Sequence, residues 1–201
     1  MILYSDRDDH YSQRVRIVFA EKDISAEIIE SDPESTPDDI LSISPYHKLP
    51  ILIDRDLAIH DPSVMMEYLD ERYPHPPLLP VYPVQRAQAR LWISRIEKEW
   101  SEKLDILMSG KGREATITKV RKELRESILS IIPVFSEKPF FMSDEFSLVD
   151  CCVAPILWRL KEVGIMIPER SSKALVAYMQ KIFERDAFRE SLTEAEQEMQ
   201  E

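Results

Sequence analysis

Apolar and polar positions alternate in two different rhythms along this chain, and the change of rhythm divides it. The opening "MILY" is a short apolar run of the kind that forms a buried strand, and Tyr11, Val15, Val18 and Phe19 then recur at helical spacing, which predicts an amphipathic helix over 10–22. "SAEIIE" predicts a second strand, and "TPDDILSI", with a proline near its start and acids in its first turn, a short helix. "ILIDRDLAIH" reads as two strands around a tight Asp-Arg-Asp turn. "DPSVMMEYLDERY" follows as a helix with Pro62 in its first turn and Val64, Met65, Tyr68 and Leu69 along one face.

The rhythm breaks at "PHPPLLPVYP", where five of the ten residues from 74 to 83 are proline. Proline has no amide hydrogen and a locked φ, so this stretch is neither helix nor sheet interior but a stiff, extended connector. Everything beyond it has helical spacing. Ala89, Trp92, Ile93, Ile96, Trp100 and Leu104 mark one stripe, and Ile117, Val120, Leu124, Ile128 and Ile131 a second. Residues 148–163 form a nearly all-apolar helix that Pro155 should kink. Leu175, Tyr178, Met179, Ile182 and Phe183 mark a further helix, and "EAEQEMQE" reads as a frayed, solvated end. The expected architecture is an α/β domain over 1–73, a linker over 74–83 and an all-helical domain over 84–201.

Composition narrows the function. A hydrophobic content of 44% supports a packed core. The apolar runs fall short of the roughly 20 residues that cross a bilayer, and the first residues lack a basic leader, so a cytoplasmic protein is expected. The net charge of −11 repels phosphate backbones, which argues against direct nucleic-acid binding and leaves only an indirect role on DNA. Cys151 and Cys152 are adjacent, without metal-ligand or redox spacing, and read as small core residues. None of the three glycines builds a phosphate-cradling loop. Neither a metal nor a cofactor is expected.

Two local signals identify the frame. "SPYHKLP" places Pro50 at a strand entrance, where a cis bond would turn the Leu49 backbone outward toward an extended ligand; an ordinary trans proline fits the local sequence as well. In "FSLVDC", Ser147 and Asp150 have the spacing of a capping box on the most apolar helix. With the order of elements, these features resemble the glutathione S-transferase superfamily, which implies a thioredoxin-like N-terminal domain and a helical C-terminal domain.

The resemblance also shows where chemistry has been lost. Members that use a cysteine look like "CPYSQR" at the start of the first helix, with a thiolate favoured by the helix dipole. Here the stretch is "DHYSQR", with Asp9 in the cysteine position and His10 in the proline position. A carboxylate caps a helix well, cannot attack a disulfide, and opposes a thiolate placed beside it. The acid/glutamine–serine pair that grips the γ-glutamyl group corresponds to Asp61 and Pro62, and His47 replaces a common glycine, while Lys48, Leu49 and Pro50 are kept. Asp9, Lys48, Leu49, Pro50 and Asp61 therefore read as a vestigial ligand slot with no catalytic residue. Tyr4, Ser5 and Ser12 are the hydroxyls left for a divergent glutathione transferase or peroxidase, and a ligand-sensing adaptor built on the Lys48–Pro50 slot is a third reading.

"MEYLDERYPHPPLLPVYP" and "SLVDCCVAPILWRL" further resemble the stringent starvation protein A group, glutathione transferase-like proteins that bind RNA polymerase and its sigma factor. That resemblance implies a non-catalytic transcription regulator, a homodimer or a heterodimer with a related fold, whose partner-binding surface comprises Pro74, His75, Pro76, Pro77 and Tyr82. From composition alone, the same stretch also reads as a structural linker.

Overall fold

The computed structural model describes residues 1–32 and 34–200. Two compact units emerge, one of Met1–Pro77 with Asp186–Met199, the other of Leu78–Arg185 with Gln200. The division falls inside the proline-rich stretch, and the C-terminal segment packs with the N-terminal residues.

The first unit is a four-stranded sheet in the order β2-β1-β3-β4. Strand β1 (Ile2–Asp6) pairs in parallel with β2 (Glu27–Ser31), the connection being helix α1 (His10–Glu21). The short helix α2 (Asp38–Leu41) leads toward β3 (Ile51–Asp54), which runs antiparallel to β1 and returns as β4 (Leu57–Ile59). Asp54 pairs with Leu57, so Arg55 and Asp56 alone make the hairpin, with Arg55 at φ 57° as such a tight turn demands. This mixed α/β layer is the thioredoxin-like arrangement.

Helix α3 (Pro62–Arg72) starts with Asp61 as its cap and Pro62 in the first turn, where a missing N–H costs nothing. Its buried face is Met65, Met66, Leu69 and Asp70; Met65 and Leu69 lie where predicted, whereas Val64 is 54% exposed. Tyr68 lies at the edge, its hydroxyl donating to the Asp54 carboxylate at 2.6 Å, with Arg72 at 3.0 Å on the same oxygen. The Tyr68 bond first, and Arg72 after it, hold the Asp54 carboxyl below its ordinary range against the opposing effect of desolvation. A depressed carboxyl contributes stability above its unfolded value that is lost as pH falls through the folded one. Tyr68→Phe should therefore cost about 1 kcal/mol near neutrality, and the difference between the two proteins should vanish in acid. Denaturant unfolding from pH 7 to pH 2, with the Asp54 carboxyl followed by NMR, checks it; an unchanged titration would refute the role given to Tyr68.

The second unit is helical. Helix α4 (Pro83–Ile96) continues through a π turn (Glu97–Ser101) into α5 (Glu102–Met108), and α6 (Glu114–Ser130), α7 (Val134–Glu137), α8 (Leu148–Trp158) and α9 (Lys173–Phe183) complete it. Helix α8 is buried from Leu148 to Leu157, which explains its apolar sequence. It stops five residues short of the predicted end: Arg159 caps it, its guanidinium donating to the Pro155 carbonyl at 3.0 Å, and the chain turns through Gly164 at φ 72°. The predicted capping box is present. Ser147 donates through both its amide and its hydroxyl to one oxygen of Asp150, while Phe141 N–H and the Tyr178 hydroxyl donate to the other.

Where a frayed, solvated helix or tail was expected at the C-terminus, a capped helix forms, solvated on one side and buried at Glu196. Helix α10 (Asp186–Glu190) packs on α1, and α11 (Glu194–Glu198) has its own capping box between Thr193 and Glu196. Glu196 is fully buried because Arg16 of α1 reaches it.

Candidate functional site

The N-terminus of α1 is where a thiol would stand in the cysteine-using arrangement. Asp9 sits there as the helix cap, accepting the Ser12 amide at 2.7 Å. Around it the chain gathers carboxylates. Asp6 is held above its ordinary range chiefly by burial and further by Asp9, Asp8 and Asp32, against the amide of Asp8 that donates to it. A developing thiolate placed here would meet negative charge rather than the positive environment that activates sulfur.

The two serine hydroxyls that remained as alternatives are engaged. Ser5 is fully buried and accepts from the Arg16 guanidinium, whose same nitrogen donates to the Asp6 carbonyl at 3.0 Å. Ser12 is fully buried, and its hydroxyl accepts the Asp6 amide at 3.0 Å. Both hold the β1–α1 turn together. Tyr4 lies within β1, paired with Ile29 and Ile51.

His10 is buried, its Nδ1 facing an Arg14 nitrogen at 3.1 Å. Arginine carries no acceptor, so in this contact the ring nitrogen can only accept. This side chain completes the buried surface of α1.

The other slot residues lie on two further loops of the same unit. The Leu49–Pro50 bond is cis, with Leu49 and Pro50 buried and Lys48 exposed. His47 takes φ 50°, the conformation that favours the glycine it replaces. The Ser44 hydroxyl accepts from the amides of Tyr46 and Lys48 at 3.3 and 3.4 Å, shaping the approach. Asp61 accepts the Val64 amide at 3.0 Å, so its carboxylate serves its own helix. Among the described residues no group of three or more His, Cys, Asp or Glu side chains is placed to hold a metal ion.

The proline-rich stretch holds both exposed and buried residues. Pro74, His75, Pro76 and Pro77 are exposed, and the His75–Pro76 bond is cis. Leu78 and Leu79, in the middle of the stretch, are buried; the Leu78 carbonyl accepts the Leu148 amide at 2.8 Å, which fixes it to the start of α8. Val81 and Tyr82 emerge again, each 72% exposed, with Tyr82 as the residue before α4. The four residues 74–77 belong to the first unit and Tyr82 to the second.

The inward side of residues 73–76 rests on a residue that periodicity did not single out. Lys22, at the C-terminal cap of α1, is buried with its ammonium bonded to the carbonyls of Tyr73 (2.6 Å) and Pro76 (2.7 Å) and paired with Asp70 (2.8 Å). A lysine at a helix end is ordinarily a solvated charge, so the sequence carried no sign of this role.

Residues 3–77 match the family profile described as glutathione S-transferase, N-terminal domain, and residues 86–186 the profile of the C-terminal domain. A stringent starvation protein A homolog of Pasteurella multocida is 49% identical over 192 residues, covering 96% of this chain and 90% of that protein. The homolog of Coxiella burnetii is 45% identical over 201 residues, covering 100% and 95%. Among solved structures, a tau class glutathione S-transferase from mango, Mangifera indica, superposes with a TM-score of 0.82 at 24% identity, covering 99% of this chain and 95% of its own.

Proposed function

This chain belongs to the glutathione S-transferase family, in its stringent starvation protein A group, and we propose that it uses the frame as a non-catalytic regulator that docks on RNA polymerase and its sigma factor and alters promoter use under starvation or stress. The observation that carries the reading is the Asp9 carboxylate capping α1, with Ser5 and Ser12 drawn into the fold behind it. A site with no nucleophile and a surplus of negative charge is a poor place to activate a thiol.

The docking residues in this reading are Pro74, His75, Pro76 and Pro77, with Tyr82 beside α4. Their exposure supports it: proline rings and a tyrosine lose little conformational freedom when a partner covers them. The acidic surface suits a protein that leaves DNA to its partner, and the protein acts in the cytoplasm as a homodimer or paired with a related chain. Among the described residues no helix is long and apolar enough to cross a membrane. The slot from Lys48 to Pro50 is a remnant of the family's ligand grip.

Immobilised wild-type protein should retain RNA polymerase, and a His75→Ala, Pro76→Ala variant should retain at least tenfold less. Equal retention by both would remove these residues from the surface, and no retention by either would remove the function. Binding to a glutathione column with turnover of a chlorinated aromatic substrate, lost in Tyr4→Phe, would replace it by the enzymatic reading.

A further inference from the structure

We infer that Lys22 is the positioning residue for the Pro74–Pro77 surface: its ammonium sets the conformation in which His75 is displayed. An ammonium has three donors and no acceptor, and here three acceptors surround it within 2.8 Å: the carbonyls of Tyr73 and Pro76 and a carboxylate oxygen of Asp70. The lysine side chain has no exposed surface and Asp70 is 9% exposed, so water does not compete for these bonds.

The two carbonyls matter because of where they lie. The Tyr73 carbonyl belongs to the peptide plane leading into Pro74, and the Pro76 carbonyl to the plane leading into Pro77. Fixing both orients the chain on either side of His75. Proline locks φ at 74, 76 and 77, so little backbone freedom is left outside His75 itself. With the carbonyls of 73 and 76 turned inward to one cation, the proline rings and the His75 side chain remain outward, and all four residues from 74 to 77 are exposed. Asp70 comes from the last turns of α3 and Lys22 from the end of α1, so two helices of one unit brace the turn.

A simpler role would be charge balance alone, with Lys22 present only to neutralise the buried Asp70. The two roles separate in a Lys22→Met, Asp70→Asn double variant, which removes both charges together and leaves no buried ion uncompensated. If Lys22 positions the turn, this variant unfolds within a few degrees of the wild type, yet the backbone NMR order parameter of His75 falls from the rigid range, about 0.85, to below about 0.6, and polymerase capture falls tenfold or more. If its role is charge balance, the order parameter of His75 and capture both stay at the wild-type level, and the inference is overturned.

The inference rests on the proposed docking surface only for the capture measurement. Should the His75→Ala, Pro76→Ala variant capture polymerase normally, the docking reading fails, and the order parameter of His75 in the Lys22→Met, Asp70→Asn protein still decides the part played by Lys22. A measurement on the unaltered protein guards against a variant that does not fold. The Lys22 ammonium protons should be observable by ¹⁵N-detected NMR, with through-space contacts to the turn. Rapid exchange with water and no such contacts would overturn the assignment.

Discussion

Replacing Glu196 by alanine is expected to remove about 3–5 kcal/mol of stability and to free helices α10 and α11 from α1. Glu196 receives two 2.7 Å bonds from one Arg16 nitrogen, with the guanidinium 5% and the carboxylate 0% exposed. The other guanidinium nitrogens donate to the Ser191 carbonyl at 2.8 Å and to Ser5 and the Asp6 carbonyl. One arginine thus ties the C-terminal segment to the end of β1. Removing the carboxylate alone strands a buried cation, which costs far more than the pair contributes net. The expected readout is a fall in the melting temperature of about 10 °C, with protease cleavage appearing between residues 185 and 193. The double variant Arg16→Leu, Glu196→Leu should recover most of the loss, since it leaves no orphaned charge. A Glu196→Ala protein as stable as the wild type would show that the segment is held by other contacts.

Asp150→Ala should rank next, at about 3–4 kcal/mol, because it removes a cap and strands several buried donors at once. Phe141 N–H, the Tyr178 hydroxyl and both donors of Ser147 converge on this carboxylate, at 2.7 to 2.9 Å. Asparagine keeps one carbonyl acceptor and should lose less. The pH dependence separates charge from shape. Burial raises the Asp150 carboxyl above its ordinary range, more than the four donors lower it. A raised folded value means stability that is present below the unfolded value and lost as pH rises through the folded one. The stability difference between wild type and Asp150→Asn should therefore be largest in acid and narrow as pH rises. A difference that grows with pH would show that the four donors, rather than burial, set the ionisation of this group.

Much of the candidate site was legible because it is local. The cap role of Asp9 follows from one residue at one helix start, and the missing thiol from the same position. The positions of Ser147 and Asp150 follow from a spacing of three. Where partners are distant in sequence, reading failed. Lys22 meets Tyr73 and Pro76 across 51 and 54 residues, and Arg16 meets Glu196 across 180. Helix α1 read as one-sided, yet Gln13, Arg14 and Arg16 on its polar side are buried. Helix α10 packs on it, Gln13 faces Ser191, and Arg16 reaches Glu196. The burial of Leu78 and Leu79 was not legible for the same reason: an apolar pair in a proline-rich stretch is equally suited to a surface or a core until the start of α8 takes the Leu78 carbonyl.

What the sequence determined by itself is the longer elements, their order and the absence of a sulfur at the start of the first helix, since periodicity, capping and proline act over a few residues and residue identity is absolute; the short helices α7 and α10 escaped it. The tertiary structure alone decided which polar groups are buried. It bonded Ser5, Ser12 and Arg16 into the β1–α1 turn, it brought the acidic end back onto the first helix, and it set a lysine ammonium against two carbonyls of an exposed turn. The physical reason is that a polar side chain carries no mark of its burial: only the assembled chain supplies the partners that make removing it from water tolerable.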